Sequence, residues 1–166
     1  MATLICLTVL VSCGGKSARE QFVADGDEIC AQIADQIEHL ALTPVSTTPG
    51  ALLGQARGYR DLTRRITVGL AGSKLPDGPA AARIVANSWR LTDAASRTTT
   101  LARRIVAAAD RRRTRAELRA RGAYYASVAQ ITSAAVPLDT RMRSYGFKRC
   151  GQRENFGTAA EALDGG

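Results

Sequence analysis

Apolar residues recur at intervals of three and four along most of this chain, and that spacing is typical of amphipathic helices. In residues 18–42 they stand at positions 22, 29, 30, 33, 37 and 40. The chain is 45% apolar but only 5% aromatic, and alanine-rich segments without alternating β-branched residues favour helices over sheet. The sequence therefore predicts an all-α fold.

Turn-forming residues divide the apolar pattern into helical runs. The first run covers residues 18–42 and is followed by TPVSTTPG. Within that stretch, Thr48 before Pro49 is typical of a helix N-cap with proline at the first helical position. The second run ends near GSKLPDGP, and Pro79 opens a third run of about thirty residues.

A fourth run extends from about Thr114 to Tyr145. We expect Pro137 to kink or split it, because proline removes a backbone donor and clashes with the preceding turn. Gly146 suits the left-handed position after a helix. The residues expected to face inward in the third and fourth runs are Val85, Trp89, Thr92, Ala95, Thr99, Ala102, Val106, Ala109, Leu118, Tyr125, Ala129, Thr132, Ala135 and Met142.

Four amphipathic helices joined by short loops predict an antiparallel, up-down four-helix bundle. A chain of 166 residues is long enough for one domain with its own core. We place the bundle in residues 21–150 and a loosely held tail in residues 151–166, which are small and polar. In this topology the first helix leaves one end of the bundle and the fourth returns to it.

The first sixteen residues, MATLICLTVLVSCGGK, include an apolar run that is too short to cross a membrane. A helix rises 1.5 Å per residue, so the part from about Leu4 to Val11 covers no more than about half of the ~30 Å hydrocarbon layer. A short apolar run followed by small residues is typical of a secretory signal peptide. The alternative is an N-terminal helix packed into the core, with a buried free thiol at Cys13.

The end of this leader, LVSC at residues 10–13, resembles the lipobox of bacterial lipoproteins. In that family the cysteine receives a diacylglycerol and the peptide bond before it is cut. The resemblance implies that residues 1–12 are a signal peptide and that Cys13 becomes the lipidated N-terminus. Residues 13–20 would then tether the domain to the outer face of the cell membrane.

The four cysteines are Cys6, Cys13, Cys30 and Cys150. Export would remove Cys6 and lipidate Cys13, and the remaining pair would most economically form a disulfide in an oxidising compartment. Cys30, early in the first helix, and Cys150, just after the fourth, are expected to meet at one end of the bundle. No metal site is expected, because the chain has one histidine and no C-x-x-C motif.

Two further segments, VADGDEIC at 23–30 and YGFKRCG at 145–151, resemble those of small helical lipoproteins of high-GC bacteria. That group places an acidic segment with a cysteine in its first helix and a cysteine ending after its last. The resemblance implies a disulfide-closed bundle at a membrane surface, and it brings no activity with it.

Arginine dominates the basic charge, and the net charge of the chain is +8. Residues 18–42 carry a net of −5 and residues 43–166 a net of +12, which indicates an acidic first helix beside basic ones. The densest basic patch is a candidate site for an anionic envelope polymer or another envelope protein, and comprises Arg103, Arg104, Arg111, Arg112, Arg113, Arg115, Arg119 and Arg121.

Two other groups of residues are weaker candidates. His39 and Asp35 are four positions apart and could pair on one helical face, but no nucleophile accompanies them. Core packing is the simpler explanation of the larger aromatic residues, although a small ligand pocket could also be lined by Trp89, Tyr59, Tyr124 and Tyr125.

The sequence thus favours a lipid-anchored, extracytoplasmic helical bundle with a non-enzymatic binding, scaffolding or envelope role and no cofactor. The main alternative is a cytosolic basic protein that binds nucleic acid through the arginines of residues 103–121. A carrier of a small apolar ligand is the third hypothesis.

Overall fold

The computed structural model describes residues 15–42 and 47–150, which form five α-helices. They are α1 (Ala18–Gln32), α2 (Ala34–Leu42), α3 (Pro49–Gly72), α4 (Pro79–Asp110) and α5 (Thr114–Tyr145). The predicted all-α fold is confirmed for these residues. The predicted signal peptide (1–12), Cys13 and the predicted tail (151–166) lie outside them.

The structure has five helices where four were predicted, because the run over residues 18–42 is divided at Ile33. Ile33 leaves helical geometry, with φ −112° and ψ 6°, while its side chain stays buried. The sequence carries no signal for this break, since neither glycine nor proline occurs between Gly26 and Pro44. α1 begins at Ala18, so the last residues of the predicted tether (13–20) are helical.

Capping residues fix several helix ends. The Ser17 hydroxyl accepts from the Glu20 backbone N–H, and the Glu20 carboxylate accepts from the Ser17 N–H at 2.8 Å, which forms a capping box. Thr48 caps α3 and Pro79 opens α4, as predicted. Gly146 has φ 119° and ends α5 in the predicted left-handed conformation. α5 passes through Pro137 without being divided.

α4 runs antiparallel to both α3 and α5. Thr99, which follows Thr92 on α4, donates to the carbonyl of Ala56, which precedes Thr67 on α3, and the start of α4 lies beside the end of α5. The α3 and α4 hydroxyls of Thr67 and Thr92 are 3.0 Å apart, and the α4 and α5 hydroxyls of Thr98 and Ser127 are 2.7 Å apart. The Arg65 guanidinium on α3 donates to the Gln36 side chain on α2 at 3.0 Å. The buried hydroxyls satisfy one another between small side chains, so the helices approach closely.

The predicted inward face is wrong at two large residues. Trp89 is 42% exposed and Leu118 is 63% exposed. In α5 the buried stripe up to Ile131 lies one position before the predicted one, and the two coincide from Ala135 onward. Steps of three and of four residues both keep a side chain on one helical face, so the spacing alone does not distinguish these two neighbouring stripes. The buried apolar residues of α5 are Tyr124, Val128, Ile131, Ala135, Leu138 and Met142.

Within residues 15–42 and 47–150, none of the helices combines the length and the apolar character needed to span a bilayer.

Candidate functional site

Cys30 and Cys150 form a disulfide bond, as predicted. Their sulfur atoms are 1.99 Å apart and their Cα atoms are 5.3 Å apart, and both residues are buried. The expected position early in the first helix is wrong, because Cys30 is the third residue from the C-terminal end of α1. The segment after α5 runs back along α1 before it reaches this bond.

The Asp27 carboxylate holds that returning segment against α1. Its Oδ1 accepts the backbone N–H groups of Arg149 at 2.8 Å and Cys150 at 3.1 Å, and its Oδ2 accepts that of Lys148 at 2.8 Å. The two segments that carry the lipoprotein resemblance are therefore in contact. No local sequence pattern marks Asp27, because its partners are backbone groups 121 or more positions away.

A small aromatic cluster completes this contact. The Phe147 ring meets the Phe22 ring edge-on, with centroids 5.5 Å apart, and both residues are buried. The ring lies against Gly26, where an added Cβ would stand 2.9 Å from the Leu70 Cδ2 atom and closer still to Phe147. Glycine at position 26 thus permits three segments, α1, α3 and the returning segment, to pack together.

The eight predicted patch arginines surround the connection between α4 and α5, and we call them the arginine turn. Seven of them are exposed, and Arg121 is half-buried. Arg121 donates from Nε and Nη2 to the Glu117 carboxylate at 2.9 and 2.8 Å, and from Nη1 to the Thr47 carbonyl at 2.8 Å. Arg121 is therefore committed to structural contacts, whereas the other seven guanidinium groups face solvent.

At the other end of α4 and α5 there is a second basic feature, which was not predicted from the sequence. A groove of about 610 Å³ lies between the starts of α1 and α4 and the end of α5. Three arginines from three helices line it, together with small and apolar residues. We call it the Arg19 groove, and its lining residues are Arg19, Ala80, Arg83, Ile84, Thr140, Arg141, Ser144 and Tyr145. Only the fold brings these arginines together, so no local motif announces them.

The aromatic residues proposed as a pocket lining differ in burial. Tyr59 and Tyr124 are fully buried in the core, Tyr125 is half-buried and Trp89 is on the surface. Burial raises the pKa of Tyr124 to about 12, and the neighbouring Tyr125 adds to the shift. Burial also raises the pKa of Tyr59 well above its ordinary value, with a smaller contribution from the Asp139 charge.

The remaining candidates lie at the surface. Asp35 and His39 are both exposed on α2. In the part of the chain that the structure describes, no group of three or more His, Cys, Asp or Glu side chains is arranged to hold a metal ion.

Comparison with known proteins adds no assignment to this geometry. No family model, curated protein or solved structure matches the chain.

Proposed function

We propose that this chain is a lipoprotein anchored through Cys13 to the outer face of the cell membrane, with a non-enzymatic binding or scaffolding role in the envelope. The observation that carries the proposal is the Cys30–Cys150 bond. Those are the two cysteines that remain after loss of residues 1–12 and modification of Cys13. Disulfides persist in oxidising compartments and are rare in the reducing cytosol, so the bond supports export.

The arrangement of the helices supports an elongated molecule in which the lipidated end and the arginine turn lie far apart. We treat α1 and α2 as one broken arm, so that the chain forms an up-down bundle of four arms. α1 begins close to the lipidated residue, and the arginine turn lies at the far end of α4. Because 32 helical residues rise about 48 Å, the arginine turn stands well beyond the reach of charges in the membrane to which Cys13 is attached.

The exposed guanidinium groups of the arginine turn are suited to an anionic partner in the envelope. Guanidinium groups bind phosphate and carboxylate groups with two parallel hydrogen bonds. An anionic wall polymer or an acidic face of another envelope protein has the required charge and is within reach of that end. The molecule would then link the membrane to a layer beyond it.

The test of anchoring compares two single-cysteine variants of the full chain in a bacterial host. Cys13→Ser should abolish removal of residues 1–12 and shift the protein out of the membrane fraction. Cys6→Ser, the matched control, changes a cysteine within the same leader and should leave processing and fractionation as in the wild type. Gel mobility and membrane fractionation report both effects.

Equal behaviour of the Cys13→Ser and wild-type chains would contradict lipid anchoring. A full-length cytosolic chain with free thiols would instead favour the nucleic-acid-binding hypothesis. In that case DNA affinity should fall steeply with salt and disappear when the exposed arginines of the arginine turn are replaced by alanine.

A further inference from the structure

The Arg19 groove lies at the end of the molecule where α1 begins, which we call the Ser17 end. Arg83 from α4 and Arg141 from α5 are exposed on its walls, and no acidic residue lines it. The groove is open to solvent and is bounded by small side chains of Ala80, Thr140 and Ser144. An anionic group that enters from solvent therefore meets a wall that carries three arginines and no carboxylate.

Arg19 is held in place before any ligand arrives. Its Nε and Nη2 atoms donate to the Tyr145 carbonyl at 3.2 and 2.7 Å, and its guanidinium carbon stands 4.9 Å from the centroid of the Tyr145 ring. These contacts fix the guanidinium plane at the groove and leave its Nη1 edge for another acceptor. A cation that is already positioned loses less conformational entropy when it binds an anion.

The Ser17 end as a whole carries a net positive charge, as the groove does. The segments that meet there are residues 15–21, 73–86 and 139–149, and they contain eight basic and three acidic side chains. Asp27 of α1, whose carboxylate accepts the backbone N–H groups of Lys148 and Arg149, adds a fourth negative charge, so the net charge there is +4. Of the three acids, Glu20 is engaged in the capping box and Asp139 is buried. The basic side chains are Lys16, Arg19, Lys74, Arg83, Arg141, Arg143, Lys148 and Arg149.

The chain itself determines how far this end lies from the anchor. Ser17 is four positions after Cys13, and four extended residue steps span at most about 14 Å. A lipid on Cys13 therefore keeps the first turn of α1 within about that distance of the headgroups. This distance is the fully extended limit, and a tether of this length also lets the groove approach within about 8–10 Å, the distance over which electrostatic attraction acts in physiological salt.

We propose that the Arg19 groove binds the phosphate groups of anionic membrane lipids and that it fixes the molecule with the Ser17 end against the membrane. This inference rests on the anchoring proposed above and gives it a second attachment. A single acyl or diacyl anchor leaves the domain free to swivel, whereas a lipid anchor combined with a basic surface gives a stable, oriented attachment. Guanidinium groups match the geometry of phosphate oxygens, which favours phosphate over other anions.

The test uses the full chain with Cys13→Ser, so that binding cannot come from a lipid. Its probes are vesicles of phosphatidylcholine alone and vesicles that also contain phosphatidylglycerol, in a co-sedimentation assay. The first fifteen residues carry no charge, so the phosphatidylcholine vesicles report any binding by the apolar leader. We expect added affinity for the phosphatidylglycerol vesicles that falls as salt is raised.

The decisive variant replaces Arg83 and Arg141 by glutamine, and its matched control replaces Arg103 and Arg104 by glutamine. Both pairs are exposed, and both variants have the same net charge. Each basic side chain near an anionic surface contributes roughly fivefold in affinity, so the R83Q/R141Q chain should bind about 30-fold more weakly. The arginine turn is free to touch the vesicles in this unanchored chain, so R103Q/R104Q should lose some affinity, but clearly less than R83Q/R141Q. The R83K/R141K chain keeps the charges but not the guanidinium geometry, so its affinity should lie between those of R83Q/R141Q and the wild type.

Circular dichroism and the retained disulfide show whether each variant is folded. Equal affinity of R83Q/R141Q and the wild type, or an equal loss in R103Q/R104Q, would overturn the proposal. Release of the protein from vesicles by micromolar inorganic phosphate would also overturn it, because the groove would then be a free-phosphate site. Failure of Cys13 processing in cells is a separate result, since this assay contains no lipidated protein.

Discussion

Asp27 connects the two ends of the described chain, because one carboxylate on α1 accepts three backbone N–H groups from the segment that follows α5. Asp27→Asn keeps the shape of the side chain but removes its charge and replaces one of the two acceptor oxygens by an NH2 group. We expect it to lower the free energy of unfolding by about 2 kcal/mol, measured by urea denaturation. Asp25→Asn, two positions away and bonded to Gln21 within α1, is the control and should cost much less.

Tyr124 makes stability depend on pH in the alkaline range. Its hydroxyl is buried and has no hydrogen-bond partner among the described residues, and its pKa is raised to about 12, against about 10 in the unfolded chain. The folded state therefore keeps the proton that the unfolded state loses, so stability is full below pH 10 and falls between pH 10 and 12.

Tyr124→Phe should remove the Tyr124 part of this dependence, while Tyr59, whose pKa burial also raises, keeps its own part. The change should not destabilise the protein at pH 7, because it deletes a buried hydroxyl that has no hydrogen-bond partner among the described residues. The Tyr124 part of the loss in the wild type is about 3 kcal/mol for a two-unit difference in pKa. Urea denaturation at pH 7, 10 and 12 measures both effects. An unchanged pH profile in Tyr124→Phe would contradict this account, and Tyr145→Phe should leave the Tyr124 contribution in place.

At the scale of elements, the disulfide attaches the segment after α5 to α1 and closes a loop of 120 positions. Removing it with Cys30→Ser and Cys150→Ser together should lower the free energy of unfolding by roughly 4–5 kcal/mol in the chain-entropy model. Each single variant should lose about as much as the double variant, because either change breaks the same bond. If a reductant leaves the urea midpoint of the wild type unmoved, the bond does not stabilise the fold in this way.

Gly26 tests how closely α1, α3 and the returning segment pack. An added methyl group would meet the Phe147 ring and stand 2.9 Å from Leu70, so Gly26→Ala should lower the free energy of unfolding by about 1–3 kcal/mol. Gly54→Ala is the matched control, because nothing lies within 4 Å of its added Cβ and alanine favours the helix. We expect that control to raise stability by about 0.5–1 kcal/mol. A lower melting temperature for Gly26→Ala and a higher one for Gly54→Ala would support the close packing at Gly26.

Several element boundaries could be read from local chemistry. Helix ends lie at three positions that the sequence marks: Thr48 with Pro49, Pro79, and Gly146. At each of them the backbone geometry follows from the residue itself, through a capping side chain, a proline ring or the absence of a side chain. The break at Ile33 carries no such residue. Asp27 and the Arg19 groove were also beyond sequence reasoning, because their contacts join segments that only the tertiary fold brings together.

For the whole molecule, the two basic regions lie toward opposite ends of α4 and α5. Arg83 is 20 positions from Arg103 and 28 from Arg111, so the two regions are about 30–42 Å apart by helix rise. The Ser17 end carries the Arg19 groove, and the other end carries the arginine turn. The proposed attachment of the Ser17 end to the membrane would direct the arginine turn toward the envelope layer beyond that membrane. This polarity, and the role we assign to each end, depends on one covalent event at Cys13.

The mass of the intact protein purified from the membrane fraction tests that event most directly. We predict a chain that begins at Cys13, carries a diacylglycerol on that residue, and is two hydrogens lighter because Cys30 and Cys150 are joined. A full-length chain that begins at Met1, carries no lipid and has four free thiols would contradict the account.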